Sequence, residues 1–189
     1  MDNQHIKKSL SLPRPKGKDL FRLLDVHERL VLHDNVFNVR DIINTTDLDK
    51  AKKEIKKSKK PVIIKAQDDN FNRKILEHGK FEIILSPESG NRKDKLKQLD
   101  SGLNHVLAKI AKKNNISIGI STNEIKFKSS IEKAKTLSRI IQNIKLCRKA
   151  KTNLKYLGNQ KEGFHFLISL GANNSQAKEA TSKNIYENL

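Results

Sequence analysis

The stretch SGLNHVLAKIAKKNNISIGIS, residues 101–121, holds a helix and a strand in succession, and its spacing decides the fold class. Leu103, Val106, Leu107, Ile110 and Ala111 recur at helical spacing, with Lys109, Lys112 and Lys113 off that stripe. Asp100 or Ser101 is placed to cap the start, and Asn114 and Asn115 suit the end. Ile116, Ile118 and Ile120 then alternate around Gly119, which reads as a short strand.

The same unit recurs upstream. Thr46 and Asp49 resemble a capping box that starts a Lys-rich helix, and the helix must stop before Pro61. PVIIKA (61–66) is a buried strand, residues 68–78 a helix closed by Gly79, and FEIIL (81–85) another strand. Downstream, Ser129 and Glu132 start a long helix with a stripe of Ile131, Ala134, Leu137, Ile141 and Ile144. A strand near Leu154–Leu157 and a final helical pair follow, and VLHDNVFNVRDII (31–43) supplies one or two early strands. Short strands alternating with helices imply a parallel sheet, because parallel neighbours need crossover connections. The sheet is either an open doubly wound layer or a barrel, and 189 residues fall short of the roughly 250 of a full eight-unit barrel. The expected fold is therefore α/β, a compact or incomplete TIM-barrel-like domain over residues 21–189, preceded by a flexible basic extension at 1–20.

The chain carries 39 Lys and Arg against 21 Asp and Glu, a net charge of +18, which implies a polyanionic partner. Nucleic acid is favoured over a membrane surface, since the cations spread along the whole chain and no apolar run reaches the roughly 20 residues of a membrane span. No signal-peptide-like stretch opens the sequence, and Cys147 alone excludes an internal disulfide or a Cys-rich zinc site, so a cytoplasmic setting is expected. Without Trp and with few Phe or Tyr, a base-stacking sheet platform is a poor model, and recognition of backbone and shape is a better one, which favours structured RNA while composition alone does not separate RNA from DNA.

Catalytic signatures are weak. Asp68 and Asp69 follow a strand and could hold a divalent cation, although an acidic helix start is the more ordinary reading. Asp25-Val26-His27 is a poor match to a metal-dependent phosphoesterase start, and His33, His78, His105 and His165 lack ligand spacing. No phosphate-loop, dinucleotide or nucleophile-elbow motif occurs, and Cys147 reads as packing. The unusual loop is SPESGNRKDKLKQLD (86–100), which follows a buried strand and presents Arg92, Lys93, Lys95 and Lys97. It reads equally as a solvated loop or as a phosphate-gripping one. Two further basic clusters lie between Lys50 and Lys60 and between Arg139 and Lys151.

Ile83-Ile84-Leu85-Ser86, Asn91-Arg92-Lys93-Asp94, Asn104-His105-Val106-Leu107-Ala108-Lys109 and Lys113-Asn114 together resemble the archaeal ribonuclease P protein component 3 family, related to the eukaryotic thirty-kilodalton subunit. Asn143-x-x-Leu146-Cys147-Arg148-Lys149 and Leu170-Gly171 agree in order and spacing. The resemblance is specific over 61–150 and looser at 30–60 and 151–189. It implies a barrel-like fold of the polymerase-and-histidinol-phosphatase lineage without its metal site. It further implies an accessory role beside a catalytic RNA that uses Mg2+ to remove the 5′ leader of precursor tRNA, and a second protein subunit as partner. Arg92 matches the family's loop arginine and Arg148 its helix-end basic residue. The family's Arg-Ser-Pro-like segment is Lys161-Glu162-Gly163 here, and its late proline is missing from Ser182-Lys183-Asn184.

The expected RNA-binding residues are thus Arg92, Lys93, Arg139, Arg148 and Lys149, with Lys65 at a strand end, and no catalytic or metal residue is assigned to the chain itself. The competing expectations are a phosphoesterase using Asp25, His27, Asp68 or Asp69, and a general structured-RNA-binding protein.

Overall fold

Five parallel strands pair in sequential order: β1 (Ile42–Ile43), β2 (Ile63–Lys65), β3 (Ile83–Leu85), β4 (Ser117–Ile120) and β5 (Leu154–Tyr156). The computed structural model describes residues 42–90, 92–94, 99–123, 125 and 128–182. Between and after the strands run α1 (Leu48–Lys57), α2 (Asp69–His78), α3 (His105–Lys113), α4 (Ser130–Ala150), α5 (Gln160–Ser169) and α6 (Asn174–Thr181). A doubly wound sheet reverses its strand order at a switch point. This sheet does not, so right-handed crossovers carry the helices to one face, as in a section of barrel wall.

The pleat sorts the strand residues between two cores. Ile64, Ile84, Ile118, Ile120 and Leu154 face the helices, packing with Leu107, Leu137, Ile140 and Ile144. Ile63, Ile83, Leu85 and Leu157 form a separate cluster on the opposite face. Gly119 belongs to that inner face, where a Cβ would lie 2.7 Å from Ile83 Cγ2 and 3.2 Å from Leu85 Cδ1 and Leu157 Cδ1. A side chain there would displace the cluster, which explains a glycine in mid-strand.

The helix boundaries correct several expectations. Asp47, not Thr46, caps α1, accepting from the Asp49 and Lys50 amides at 2.8 and 3.2 Å. Asn104, not Asp100 or Ser101, caps α3 through the Leu107 amide at 2.9 Å. That later start turns Val106 outward, 59% exposed, and the buried face becomes Leu107, Ala108 and Ala111. Ile131 is likewise 71% exposed, because the first turn of α4 buries nothing and the packed stripe begins at Thr136 and Leu137. The Ser129–Glu132 capping box forms as the spacing predicts. Cys147 is fully buried, and burial pushes its thiol up to about 12, out of reach of nucleophilic use near neutrality. Residues 1–41, which hold the basic extension, Asp25, His27, His33 and most of the early strand segment, lie outside the described residues.

Candidate nucleic-acid interface

The strand C-termini and the βα turns form one rim of the sheet, the mouth, where a barrel enzyme places its chemistry. The first residues of the loop after β3 are not solvated there. Ser86, Pro87, Glu88 and Ser89 are buried, and the Asn143 amide of α4 donates to Glu88 Oε2 at 3.4 Å and to the Ser101 carbonyl at 3.1 Å. Arg92 turns inward with its side chain only 5% exposed. Its guanidinium pairs with Asp69, lies 3.7 Å from Asp100, and donates to the carbonyls of Gln67 at 2.6 Å and Ser89 at 3.3 Å. Gly102, at φ +67°, makes room for it: a Cβ there would lie 1.9 Å from the Pro87 oxygen and 2.6 Å from Arg92 Nη2.

Arg139 is the second internal clamp. Its Nε and Nη2 grip Asp94 at 3.2 and 2.8 Å, and Nη2 also donates to the Arg92 carbonyl at 3.2 Å. The guanidinium holds the Asp94 carboxyl below its usual range, so the pair stays ionised through neutral and mildly acidic pH. Arg92 and Arg139, both expected to touch RNA, are therefore ties that fasten the loop to α2 and α4. Most of their donors are committed to carboxylates and carbonyls inside the protein, and both side chains also border a cleft of about 550 Å³ at this rim.

The other expected residues separate. Lys93 is exposed beside a cleft of about 300 Å³ that also borders Asp69, Asp100 and Asn104. Lys65 is half-buried at the end of β2 and, with Lys128, Glu132 and Lys135, lines the cleft of about 550 Å³. Lys128 donates to Thr136 Oγ1 at 3.0 Å, and Glu132 is taken up by the Ser129 cap, whose hydrogen bonds lower its carboxyl. Asp68 caps α2 through the Phe71 amide at 2.7 Å, and Asp69 answers Arg92, so this pair is structural. Among the described residues no three His, Cys, Asp or Glu side chains converge as metal ligands.

Arg148 and Lys149 lie at the opposite rim, where helices end and strands begin. Arg148 is exposed and donates to the Gly171 carbonyl at 3.1 Å, keeping much of its fork outward, and Lys149 is exposed. The same rim carries Lys56, Lys57, Lys59 and Lys60 after α1, Lys80 after α2, Lys112 and Lys113 at the end of α3, and Lys151 after α4, all exposed. Asn114 donates to the Leu76 carbonyl at 2.7 Å, joining the ends of α3 and α2. His78 is held below its ordinary value by burial and then by the nearby Lys52, Lys80 and Lys56. Sequence clusters had marked most of these lysines, but not that parallel topology would bring them to one edge.

No protein-family model matches the chain. It is 28% identical over 109 residues to ribonuclease P protein component 3 of Methanococcus vannielii, a match covering 58% of this chain and 44% of that protein. The namesake from Methanocaldococcus jannaschii is 32% identical over 79 residues, 42% of this chain and 31% of the relative. Over those segments the chain is similar to ribonuclease P protein component 3. Its match spans less than half the length of these curated relatives. A chain in the cryo-EM structure of archaeal ribonuclease P with mature tRNA superposes with a TM-score of 0.61 at 20% identity, over 88% of this chain and 84% of that one. At that identity the likeness is one of fold, and it extends beyond the segment matched by sequence.

Proposed function

We propose that this chain is a noncatalytic protein subunit of ribonuclease P, binding and stabilising the catalytic RNA that removes the 5′ leader of precursor tRNA. The observation that carries this reading is the sequence match to component 3 proteins. The fold likeness to a chain of the archaeal holoenzyme and the excess of exposed cations support it. On this reading the section of barrel wall belongs to the polymerase-and-histidinol-phosphatase lineage without its metal site. Mg2+ then serves the RNA, another protein subunit completes the assembly, and the setting is cytoplasmic.

The test is precursor tRNA cleavage by an assembly of the RNA and protein subunits with and without this chain, beside the chain alone. Cleavage in the full assembly that weakens on omission supports the subunit role. Metal-dependent cleavage by the chain alone overturns it and returns attention to Asp25 and His27. Equal stimulation of any folded RNA points to the general RNA-binding reading instead.

A further inference from the structure

We infer that the RNA backbone lies along the rim where helices end and strands begin, and not across the mouth that barrel enzymes use. The inference rests on the RNA-binding reading above and names the surface that carries it. At the mouth every βα turn from β1 to β4 brings at least one carboxylate: Asp47, Asp68, Asp94 and Asp100, then Glu132. Its two arginines give most of their donors to internal partners. Of the two clefts there, one is bordered by Asp69 and Asp100 and the other by Glu132, so a phosphate entering either meets a carboxylate.

The opposite rim is different in kind. Ten exposed cations follow α1 to α4, while the same last turns and connections hold only Glu54, Glu77 and Glu82. Two of those three are paired, Glu77 with Arg73 at 3.0 Å and Glu82 with Lys60 at 3.2 Å. Helix dipoles explain part of the pattern, because cations favour C-termini. Each helix end supplies about half a negative charge, so four ends call for about two cations. The surplus is several-fold larger, and folding alone gives no reason for it. Closely spaced, exposed lysines repel one another in the free protein and are relieved when phosphates replace their counterions.

Two triple variants with equal loss of charge test this: Lys56→Gln/Lys112→Gln/Lys149→Gln at the rim and Lys93→Gln/Lys128→Gln/Lys135→Gln at the mouth. Binding of the full chain to an archaeal ribonuclease P RNA transcript is measured across a salt series. The rim triple is expected to weaken binding on the order of tenfold at moderate salt, and to flatten the dependence of log K on log salt by about two, at roughly 0.7–0.9 per lost phosphate contact. The mouth triple should stay within about twofold. Equal losses from both triples, or a larger loss from the mouth triple, overturn the inference. Rim-dependent binding by a chain that adds nothing to precursor tRNA cleavage leaves this surface standing and overturns the ribonuclease P role. If the wild-type chain does not bind the RNA, both fall.

Discussion

The two rims of the sheet use the same residue types for opposite ends. At the mouth, Arg92 and Arg139 sit with side chains 5% and 9% exposed, each facing carboxylates on another segment of chain. At the other rim, Lys56, Lys112 and Lys149 stand exposed with little to neutralise them. A buried charge must be paired to be tolerated, whereas a solvated one costs little and remains available. Cation density along the sequence therefore says little about which cations meet a ligand. Burial and the presence of a carboxylate sort them.

The most damaging way to probe the mouth is Arg139→Met. It removes a two-toothed ion pair, leaves Asp94 without its cation and cuts the tie to the Arg92 carbonyl. Breaking a buried pair from one side costs about 3–5 kcal/mol. Asp94 keeps 22% side-chain exposure and can be partly rehydrated, so a loss near the lower end, about 3 kcal/mol, is expected in urea unfolding. A loss below about 0.5 kcal/mol, the level of an ordinary surface change, would return Arg139 to the pool of ligand-facing cations and dissolve the contrast.

Next in size is Gly119→Ala, which tests whether the mouth stands on a filled inner core. The added methyl meets Ile83, Leu85 and Leu157, and overpacking of this kind costs about 1–3 kcal/mol. RNA affinity of the folded variant should be unchanged, since the substitution touches neither rim. A stability-neutral outcome would mean that the inner cluster is loosely packed and that the mouth could open.

A smaller effect comes from His78, which sits among the rim lysines and is held below its ordinary value of 6.5 by burial and by those charges. Because the folded state disfavours protonation, His78 contributes no instability above 6.5. Stability is then lost as pH falls from there through the lower folded value, where the unfolded chain binds the proton more readily. Thermal unfolding of wild type between pH 7.5 and 5 should decline more steeply than that of His78→Gln. Coincident profiles would show that burial and the lysine field together disfavour the charged imidazole less than the geometry implies.

Most of the fold was legible because apolar periodicity is a local signal. PVIIKA, FEIIL and the alternating isoleucines gave the central strands within a few residues, and the Ser129–Glu132 box marked its helix. What misled was the use of Val106 and Ile131 as core residues, since each precedes the point where its helix meets the sheet. The site was harder. Asp94 and Asp100 lie in the same loop as Arg92 and hinted at internal pairing, but Asp69 lies 23 residues from Arg92 and Asp94 lies 45 from Arg139. Such pairings exist only once the parallel crossovers have brought α2, the loop and α4 together. Arg148 and Lys149 were legible as helix-end cations, but their neighbourhood came from topology.

The smallest expected change is in the stability of the rim triple Lys56→Gln/Lys112→Gln/Lys149→Gln, and it is the sharpest test of the contrast. If these lysines serve only to complement helix C-termini, each removal costs about 0.3–1 kcal/mol at low salt, and the triple should lose about 1–3 kcal/mol. If instead they form a surplus held in reserve for phosphate, lost dipole complement and relieved self-repulsion offset each other, and unfolding free energy should stay within about 0.5 kcal/mol of wild type. Salt separates the two cases further. At about 1 M the screening length shrinks to roughly 3 Å, so the repulsion that destabilises the wild-type rim disappears and wild type gains on the triple. A triple that is clearly destabilised at low salt and recovers relative to wild type as salt rises would show that the rim lysines hold the helices in place, as the mouth arginines hold their loop.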